Sequence, residues 1–506
     1  MWGCPRCRRI PSLKPMTEEQ ETPILHPSPA LPGGPAPFLL ILFLCLSVFF
    51  IGLGAYPLYD PDEGRNAEVA RETVMDGHWL PPTLNGEVRY QKPPLYYWLV
   101  AASFKIWGLR EFAARLPSAL AALLGALVTA ILGVKLWGKE RAWWAGTILA
   151  TSLIYAIYAH IVIFDMVLTL FITLAITLAW WGITQNNKNL LRLSAFSASL
   201  AFLTKGPIGV LIPIMALTPP MVYRIRKGER PSIPWLSMLI VFLVLSAPVY
   251  LIAELKSPGY CYKFFWEENV LRYLTPRFHR HGPWFYYLVV ILVGLFPWTW
   301  FLKEIPKGIE RLRETNFDEL LLLGSWILLP TLFFTFSQSK LPHYILPTFP
   351  AWALLLAGTA SWDTPSRAIT LAPAAVVLYL SALLLMGPAL ANRRSSASLL
   401  NRVHLEAQIP VAAFTKTSWY SLAFYSGRKI EVAYKKTPLK KAVEKDKSLY
   451  LLVKKKKLPL VSSLARKYGK RVQIVARAND HLLLLIKRED PHPSPRALQE
   501  KRAQGH

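Results

Sequence analysis

The chain has 506 residues, 53% of them hydrophobic, and 58 Lys and Arg against 31 Asp and Glu give a formal net charge of +27. Its apolar residues fall into runs of bilayer length rather than alternating or 3.6-residue stripes, which excludes a soluble enzyme and predicts a polytopic α-helical membrane protein. The basic residues cluster between those runs and towards the C-terminal end, as membrane topology places them, so the charge does not indicate a nucleic-acid partner.

Residues 1–37 are Pro-rich and basic and are expected to form a cytosolic tail. No small-residue cleavage site follows the first apolar run, so the first helix is expected to stay uncleaved. Cys4 and Cys7 in CPRC lack a second pair or a histidine partner at zinc spacing. Apolar runs predict spans at 38–55, 117–134, 143–161, 166–184, 193–204, 207–223, 235–253, 284–302, 319–336, 344–360 and 368–390.

The run 93–108, PPLYYWLVAASFKIWG, is apolar but shorter than the roughly 20 residues a crossing helix needs. If it crossed, Lys135, Lys139 and Arg141 would fall outside; as an interfacial helix it leaves them inside, with Tyr96, Tyr97 and Trp98 at headgroup level. The same choice puts Lys188 and Arg192, then Arg224, Arg226, Lys227 and Arg230, then Lys303, Lys307, Arg311 and Arg313 in the cytoplasm. An external loop at 56–116, Asp165, TKGPIG at 204–209, a second long loop at 254–283 and SQSKLPHYILP at 337–347 then share the opposite side.

An odd number of spans places residues 391–506 outside as well. There KIEVAY, SLYLLV, RVQIVA and HLLLLI read as strands and SLARKY as a helix, predicting a small soluble α/β domain with a basic tail. The run KKKK at 454–457 fits either contact with anionic headgroups or a solvated turn.

Three carboxylates sit together in DPDEGRN at 60–66, and a carboxylate beside a membrane is costly unless solvated, paired or functional. Asp60 or Asp62 would cap the helix EGRNAEVARETVMDG, with Glu63 in its first turn. Capping needs one acid, not three. Arg65 with Glu68, or Glu68 with Arg71, can pair along that helix. Asp165 is a lone acid in the apolar stretch HIVIFDMVLTLF, where the alternatives are a site residue or a helix N-cap. Lys92, Lys205 and Lys340 stand beside Pro or Gly breaks, which at membrane depth line cavities. As point charges they suit a phosphate; snorkelling is the alternative, above all for Lys340. His279 and His281, in the aromatic and basic loop 254–283, could move a proton or bind a metal.

No Gly-rich nucleotide loop, nucleophile elbow or HExxH motif is present, which argues against an ATP-driven pump, a serine hydrolase and a zincin. A lipid or solute transporter, or flippase, is the alternative from another class; it predicts inverted repeats and charges deep within spans, and neither is visible.

The order DPDEGRNAEVA, YQKPPLYYW, ARLPSAL, FDMVLTLF, LTKGPIG, RHGPWFYY and SKLPHYILP resembles the C-type (GT-C) integral-membrane glycosyltransferases of the protein O-mannosyltransferase-like group, and within it the lipid A aminoarabinose transferases. The resemblance covers about residues 38–360 and implies about 11 to 13 transmembrane helices with external interfacial helices. It implies an inverting transfer of a sugar from a polyprenyl-phosphate donor to a lipid or protein acceptor, on the external face of the cytoplasmic membrane.

Carried onto this sequence, it implies Asp62 as the base or organiser for the acceptor oxygen, with Asp165 supporting the same cavity. Arg65, Lys92 and Lys205 would hold the donor phosphate; Glu63, Tyr90, His281, Lys340, His343 and Tyr344 would line the substrate cavity. Gln91 stands where relatives often carry an acid linked to a divalent metal. Glu63 and His281 remain as candidate ligands, and two scattered residues do not make a site.

Overall fold

The computed structural model describes residues 36–275, 282–360, 365–415, 420–432 and 436–488. The apolar runs become helices because, in lipid, each backbone N–H and C=O must find its partner within the segment. Helix α1 (Ala36–Phe50) leads to α2 (Asp62–Met75), a small hairpin of β1 (Thr83–Leu84) and β2 (Glu87–Val88), and α3 (Leu95–Trp107). There follow α4 (Glu111–Trp137), α5 (Lys139–Ala150), α6 (Leu153–Ala159), α7 (Phe164–Thr184), α8 (Lys188–Lys205), α9 (Ile208–Arg226) and α10 (Trp235–Lys256).

The expected loop 254–283 is largely helical instead: a π-helix over Tyr262–Leu271 runs into α11 (Arg272–Leu274). Next come α12 (Tyr286–Gly294), a 3-10 turn at Trp298–Glu304, α13 (Ile305–Leu312), α14 (Phe317–Phe336), a second 3-10 turn at Pro342–Thr348, α15 (Phe349–Thr359) and α16 (Pro365–Arg394).

Among the described residues α4, α7, α9, α10, α14 and α16 are each long and apolar enough to cross a membrane, and two bent helix pairs bring the number to eight. The chain is a polytopic helical membrane protein, and each of the eleven predicted runs lies largely in helix. Two runs expected to be single spans are broken. The run 143–161 bends by 60° between α5 and α6, where the hydroxyls of Thr151 and Ser152 donate to the Thr147 and Ile148 carbonyls four residues back, at 2.6 Å each. The run 284–302 bends by 111° after α12, at Pro297, whose nitrogen has no proton to donate. The two breaks hold each other: Leu153 N–H donates to the Phe296 carbonyl (3.0 Å) and the Trp298 indole donates to Thr151 Oγ1 (2.9 Å).

Two of the three aromatic residues expected to meet headgroups from α3 turn into the protein instead. Tyr96 and Tyr97 are fully buried, both rings against Phe164, with the Tyr96 hydroxyl 3.0 Å from Ser118 Oγ and Tyr97 accepting from Arg89 Nε. Trp98 donates to the Trp79 carbonyl. The exposed apolar end of α3 is Ile106 and Trp107.

Helix α16 runs to Arg394, past the expected boundary at 390, and α17 (Ala397–Leu400) then opens the C-terminal unit. Its elements are β3 (Val411–Phe414), α18 (Tyr420–Ser426), β4 (Ile430–Val432), α19 (Lys436–Lys445), β5 (Ser448–Lys454), α20 (Leu458–Lys467), β6 (Lys470–Ala478) and β7 (His481–Arg488). The sheet order is β4-β3-β5-β7-β6, with β3 parallel to both neighbours and β7 antiparallel to both of its own. A core lies on each face of this sheet, Leu449, Leu451 and Val453 on one and Tyr450 and Leu452 on the other, as the period-2 alternation of β5 requires.

The four predicted strands and the SLARKY helix are present; β3, short and built around two alanines, was not predicted. The KKKK run forms the end of β5 and a 3-10 turn. The tails, with Cys4 and Cys7, lie outside the described residues.

Candidate active site

The N-terminal ends of α2 and α7, the C-terminal end of α8, the segment after β2, the 3-10 turn at Pro342–Thr348 and the π-helix with α11 converge on one pair of adjoining cavities. Asp62 lies in the first turn of α2, ion-paired to Arg65 one turn on, with 43% of its side chain still exposed. Asp165 lies in the first turn of α7 and is 2% exposed, ion-paired to Lys205 and 3.9 Å from His343 Nε2. Lys205 closes α8. Gly206 follows with φ at +81°, and a Cβ there would stand 2.6 Å from the Phe264 ring, so the break needs glycine. The ammonium of Lys205 also stands 4.8 Å from the centre of the Tyr344 ring.

One cavity, of about 510 Å³, is mostly apolar, walled by Leu168, Ile208, Leu211, Phe265, Phe333 and Phe334 among others. The second, of about 670 Å³, is polar and takes in Asp62, Arg65, Arg89, Asp165, Lys340, His343 and Tyr420. Lys92, Lys205, Glu268, Arg272 and Tyr344 line both. These shared residues form a throat rich in positive charge. Burial, with Arg272 and Lys205 nearby, holds the Lys92 pKa well below the usual lysine value. An anion at this throat would relieve the repulsion among three cations.

Asp62, Asp165, Arg65, Lys92, Lys205, Lys340, His343 and Tyr344 are thus brought together as the sequence suggested. Lys340 Nζ, rather than snorkelling, donates to the Gly282 carbonyl at 2.8 Å. Three expectations fail or fall elsewhere. Glu63 does not face the cavity: it is fully buried and held by both arms of Arg115 (2.7 and 2.8 Å) and by the Tyr59 and Val162 N–H groups. Tyr90 lies behind the wall, its hydroxyl 3.0 Å from Ser257 Oγ and its ring under the Lys263 ammonium. His281, with His279, lies outside the described residues.

Neither Asp60 nor Asp62 caps α2, whose N-cap is Pro61. Asp60 is instead buried and accepts from Ser421 N–H (3.0 Å) and Oγ–H (2.5 Å), and burial raises its pKa to about 7 against those bonds. Of the two pairings open to Glu68, that with Arg71 forms, through two bonds of 2.8 Å.

The sequence reading missed Glu268 and Arg272, joined at 3.1 Å, together with Arg89 and Tyr420. Glu268 and Arg272 are four residues apart, one helical turn, and that spacing was the available signal. Of the two candidate metal ligands, Glu63 is committed to Arg115 and His281 lies outside the described residues, while Gln91 lines the polar cavity. Among the described residues a group with metal-like spacing is Glu72, Asp76 and His78, away from both cavities, and Glu72 already accepts from Thr83 and from the Asn85 and Gly86 N–H groups.

Residues 91–252 match the family described as dolichyl-phosphate-mannose-protein mannosyltransferase. The undecaprenyl phosphate-alpha-4-amino-4-deoxy-L-arabinose arabinosyl transferase of Aeromonas salmonicida is 32% identical over 332 residues, 64% of this chain and 59% of that protein. The chain therefore matches less than two thirds of the length of this curated relative. Its fold is that of the ArnT crystal structure from Cupriavidus metallidurans bound to undecaprenyl phosphate, with a TM-score of 0.78 at 21% identity, covering 89% of this chain and 98% of that one. The oligosaccharyltransferase AglB from Archaeoglobus fulgidus is a more distant likeness, at a TM-score of 0.53 and 10% identity over 86% of this chain and 72% of that one. In sequence the chain is thus similar to the dolichyl-phosphate-mannose-protein mannosyltransferase family over residues 91–252 and to the arabinosyl transferases over about two thirds of its length, and its fold is that of the integral-membrane ArnT structure.

Proposed function

We propose that this chain moves a sugar from a polyprenyl-phosphate donor to an acceptor on the external face of the cytoplasmic membrane, with its N-terminus cytosolic and its C-terminal domain external. The observation that carries this reading is the joining of the two cavities at a cationic throat. The apolar groove suits a polyprenyl tail, Lys92, Lys205 and Arg272 suit its phosphate, and Asp62 stands in the polar chamber beyond.

In the reaction the bond from the anomeric carbon to the phosphate oxygen breaks, and its electron pair stays with polyprenyl phosphate. The cations of the throat take up that charge in a site already built for it. An acceptor oxygen forms the new bond from the opposite face, which inverts the anomeric carbon, and a hydroxyl acceptor gives its proton to Asp62. A phosphate acceptor is already deprotonated, and Asp62 then orients it. Asp165 keeps Lys205 fixed at the throat, while Arg65 sets the direction of the Asp62 carboxylate.

The activity of the arabinosyl transferase relative supports an undecaprenyl-phosphate-linked aminoarabinose as the first donor to test; lipid A and a protein hydroxyl are the acceptors to try with it. Purified protein in liposomes should consume that donor only when lipid A or a hydroxyl-bearing peptide is supplied. Movement of intact donor between leaflets, with no consumption, would replace this reading with the flippase.

Lys92 gives a pH test of the throat. Its lowered pKa means that raising the pH removes its charge earlier than for an ordinary lysine, so affinity for undecaprenyl phosphate should weaken as pH rises. Lys92→Arg stays charged throughout and should flatten that dependence. Parallel pH profiles for the two proteins would remove Lys92 from the phosphate site.

A further inference from the structure

The C-terminal domain is locked onto the start of α2. Asp60 accepts from Ser421 N–H and Oγ–H, and Ser421 in turn accepts from Ser396 N–H at 3.1 Å. The Tyr425 hydroxyl donates to Glu111 and accepts from Leu58 N–H, both at 2.8 Å, and the Phe424 ring packs against Phe104. Gly64 lets α2 and α18 come this close, since a Cβ on it would stand 2.6 Å from Ser421 N.

This docking brings the residue just before Ser421 to the start of α2. That residue is Tyr420, which lines the polar cavity and places its ring 5.8 Å from the Arg65 guanidinium, the ion-pair partner of Asp62. Tyr420 does not line the apolar groove, and it is absent from the throat that the two cavities share.

We propose that Tyr420 is an acceptor-specificity residue: the C-terminal domain supplies one wall of the acceptor half of the site, and this wall discriminates acceptors without touching the donor lipid. This rests on the transferase reading above. The tyrosine has two surfaces to offer. Its ring covers Arg65, so that the arginine points its charge at Asp62, and its remaining edge faces the chamber where an acceptor group must sit beside Asp62. An aromatic face beside an arginine suits the apolar side of a sugar ring or the carbon skeleton next to a phosphate. Because Tyr420 lines the polar chamber and neither the apolar groove nor the throat, loss of the ring should register on the acceptor side alone.

The test uses the full chain in nanodiscs, with undecaprenyl-phosphate-linked aminoarabinose as donor probe and purified lipid A as acceptor probe. Tyr420→Ala is expected to raise the KM for lipid A by tenfold or more while the Kd for undecaprenyl phosphate stays within about twofold. Tyr420→Phe, which keeps the ring, should bring the acceptor KM back. A Tyr420→Ala protein with unchanged acceptor KM overturns the proposal. A parallel loss of undecaprenyl phosphate binding and thermal stability overturns it too, because the ring would then be holding the domain together rather than sorting acceptors. If the wild-type chain binds undecaprenyl phosphate but transfers nothing to lipid A or to peptide, the transferase reading itself fails and takes this inference with it.

Discussion

Asp62→Asn should lower transfer by roughly 10²–10⁴-fold with a hydroxyl acceptor, the usual contribution of a positioned proton acceptor, while leaving membrane insertion and thermal stability close to wild type. Exposure separates Asp62 from the acids around it. Asp60 is buried and committed to Ser421, Asp165 is 2% exposed and committed to Lys205, and Glu268 is 16% exposed and committed to Arg272. Asp62, at 43%, keeps an oxygen available to the chamber.

The asparagine is nearly isosteric and can still accept from Arg65, so the first turn of α2 should be undisturbed; its amide cannot take a proton. Measured with saturating donor, the loss should fall in kcat. A fully active Asp62→Asn enzyme, or one in which Glu268→Gln produces the loss instead, would remove Asp62 from the centre of the mechanism. With a phosphate acceptor the same substitution should cost less, since no proton has to leave, and comparing the two acceptors separates base from organiser.

Much of the site was legible because charge is conspicuous in an apolar sequence. Asp165 and Lys205 stood out against residues that lipid would tolerate, and Lys92 and Lys340 stood beside prolines that interrupt helices; the structure gathers all four. Glu63 was misread for a reason spacing alone cannot repair. Consecutive helical residues point about 100° apart, so Asp62 and Glu63 look alike in sequence yet face a chamber and a buried arginine respectively.

Arg272 and Tyr420 were missed because they come from stretches already rich in aromatic and charged residues, where one more carries no contrast. Tyr420 also reaches the site only through the docking of a separate domain, which no local pattern encodes. Helices were recovered better than their bends. Apolar composition is the same in a straight helix and a broken one, and at the 111° bend Pro297 was the visible mark. The burial of Tyr96 and Tyr97 escaped prediction similarly, since a tyrosine suits a headgroup boundary and a hydrogen-bonded interior equally well.

Arg115→Met should be the most destabilising single change in the region, costing about 3–5 kcal/mol because it strands a carboxylate in the interior. Arg115, the arginine of ARLPSAL in the first turns of α4, received no role from the sequence. In the structure it and Glu63 are both fully buried, joined by two bonds of 2.7 and 2.8 Å. Its guanidinium also donates to the carbonyls of Leu53 (2.7 Å), Tyr56 (2.9 Å) and Pro57 (3.3 Å) and lies 4.0 Å from the Tyr56 ring centre.

One side chain thus ties α4 to α2 and to the turn that follows α1, and through Glu63 to the Val162 N–H just ahead of α7. Those are the helices whose first turns carry Asp62 and Asp165, so the pair sets the spacing of the site without touching substrate. Thermal unfolding in detergent should show the loss directly. The double variant Glu63→Met with Arg115→Met should recover part of it, because no charge is left unpaired, but not all, because the three carbonyls still lose their donor. If Arg115→Met unfolds within about 1 kcal/mol of wild type, the pair is not the brace described here; if the double variant is worse than the sum of the singles, the carbonyl bonds rather than the ion pair hold the turn.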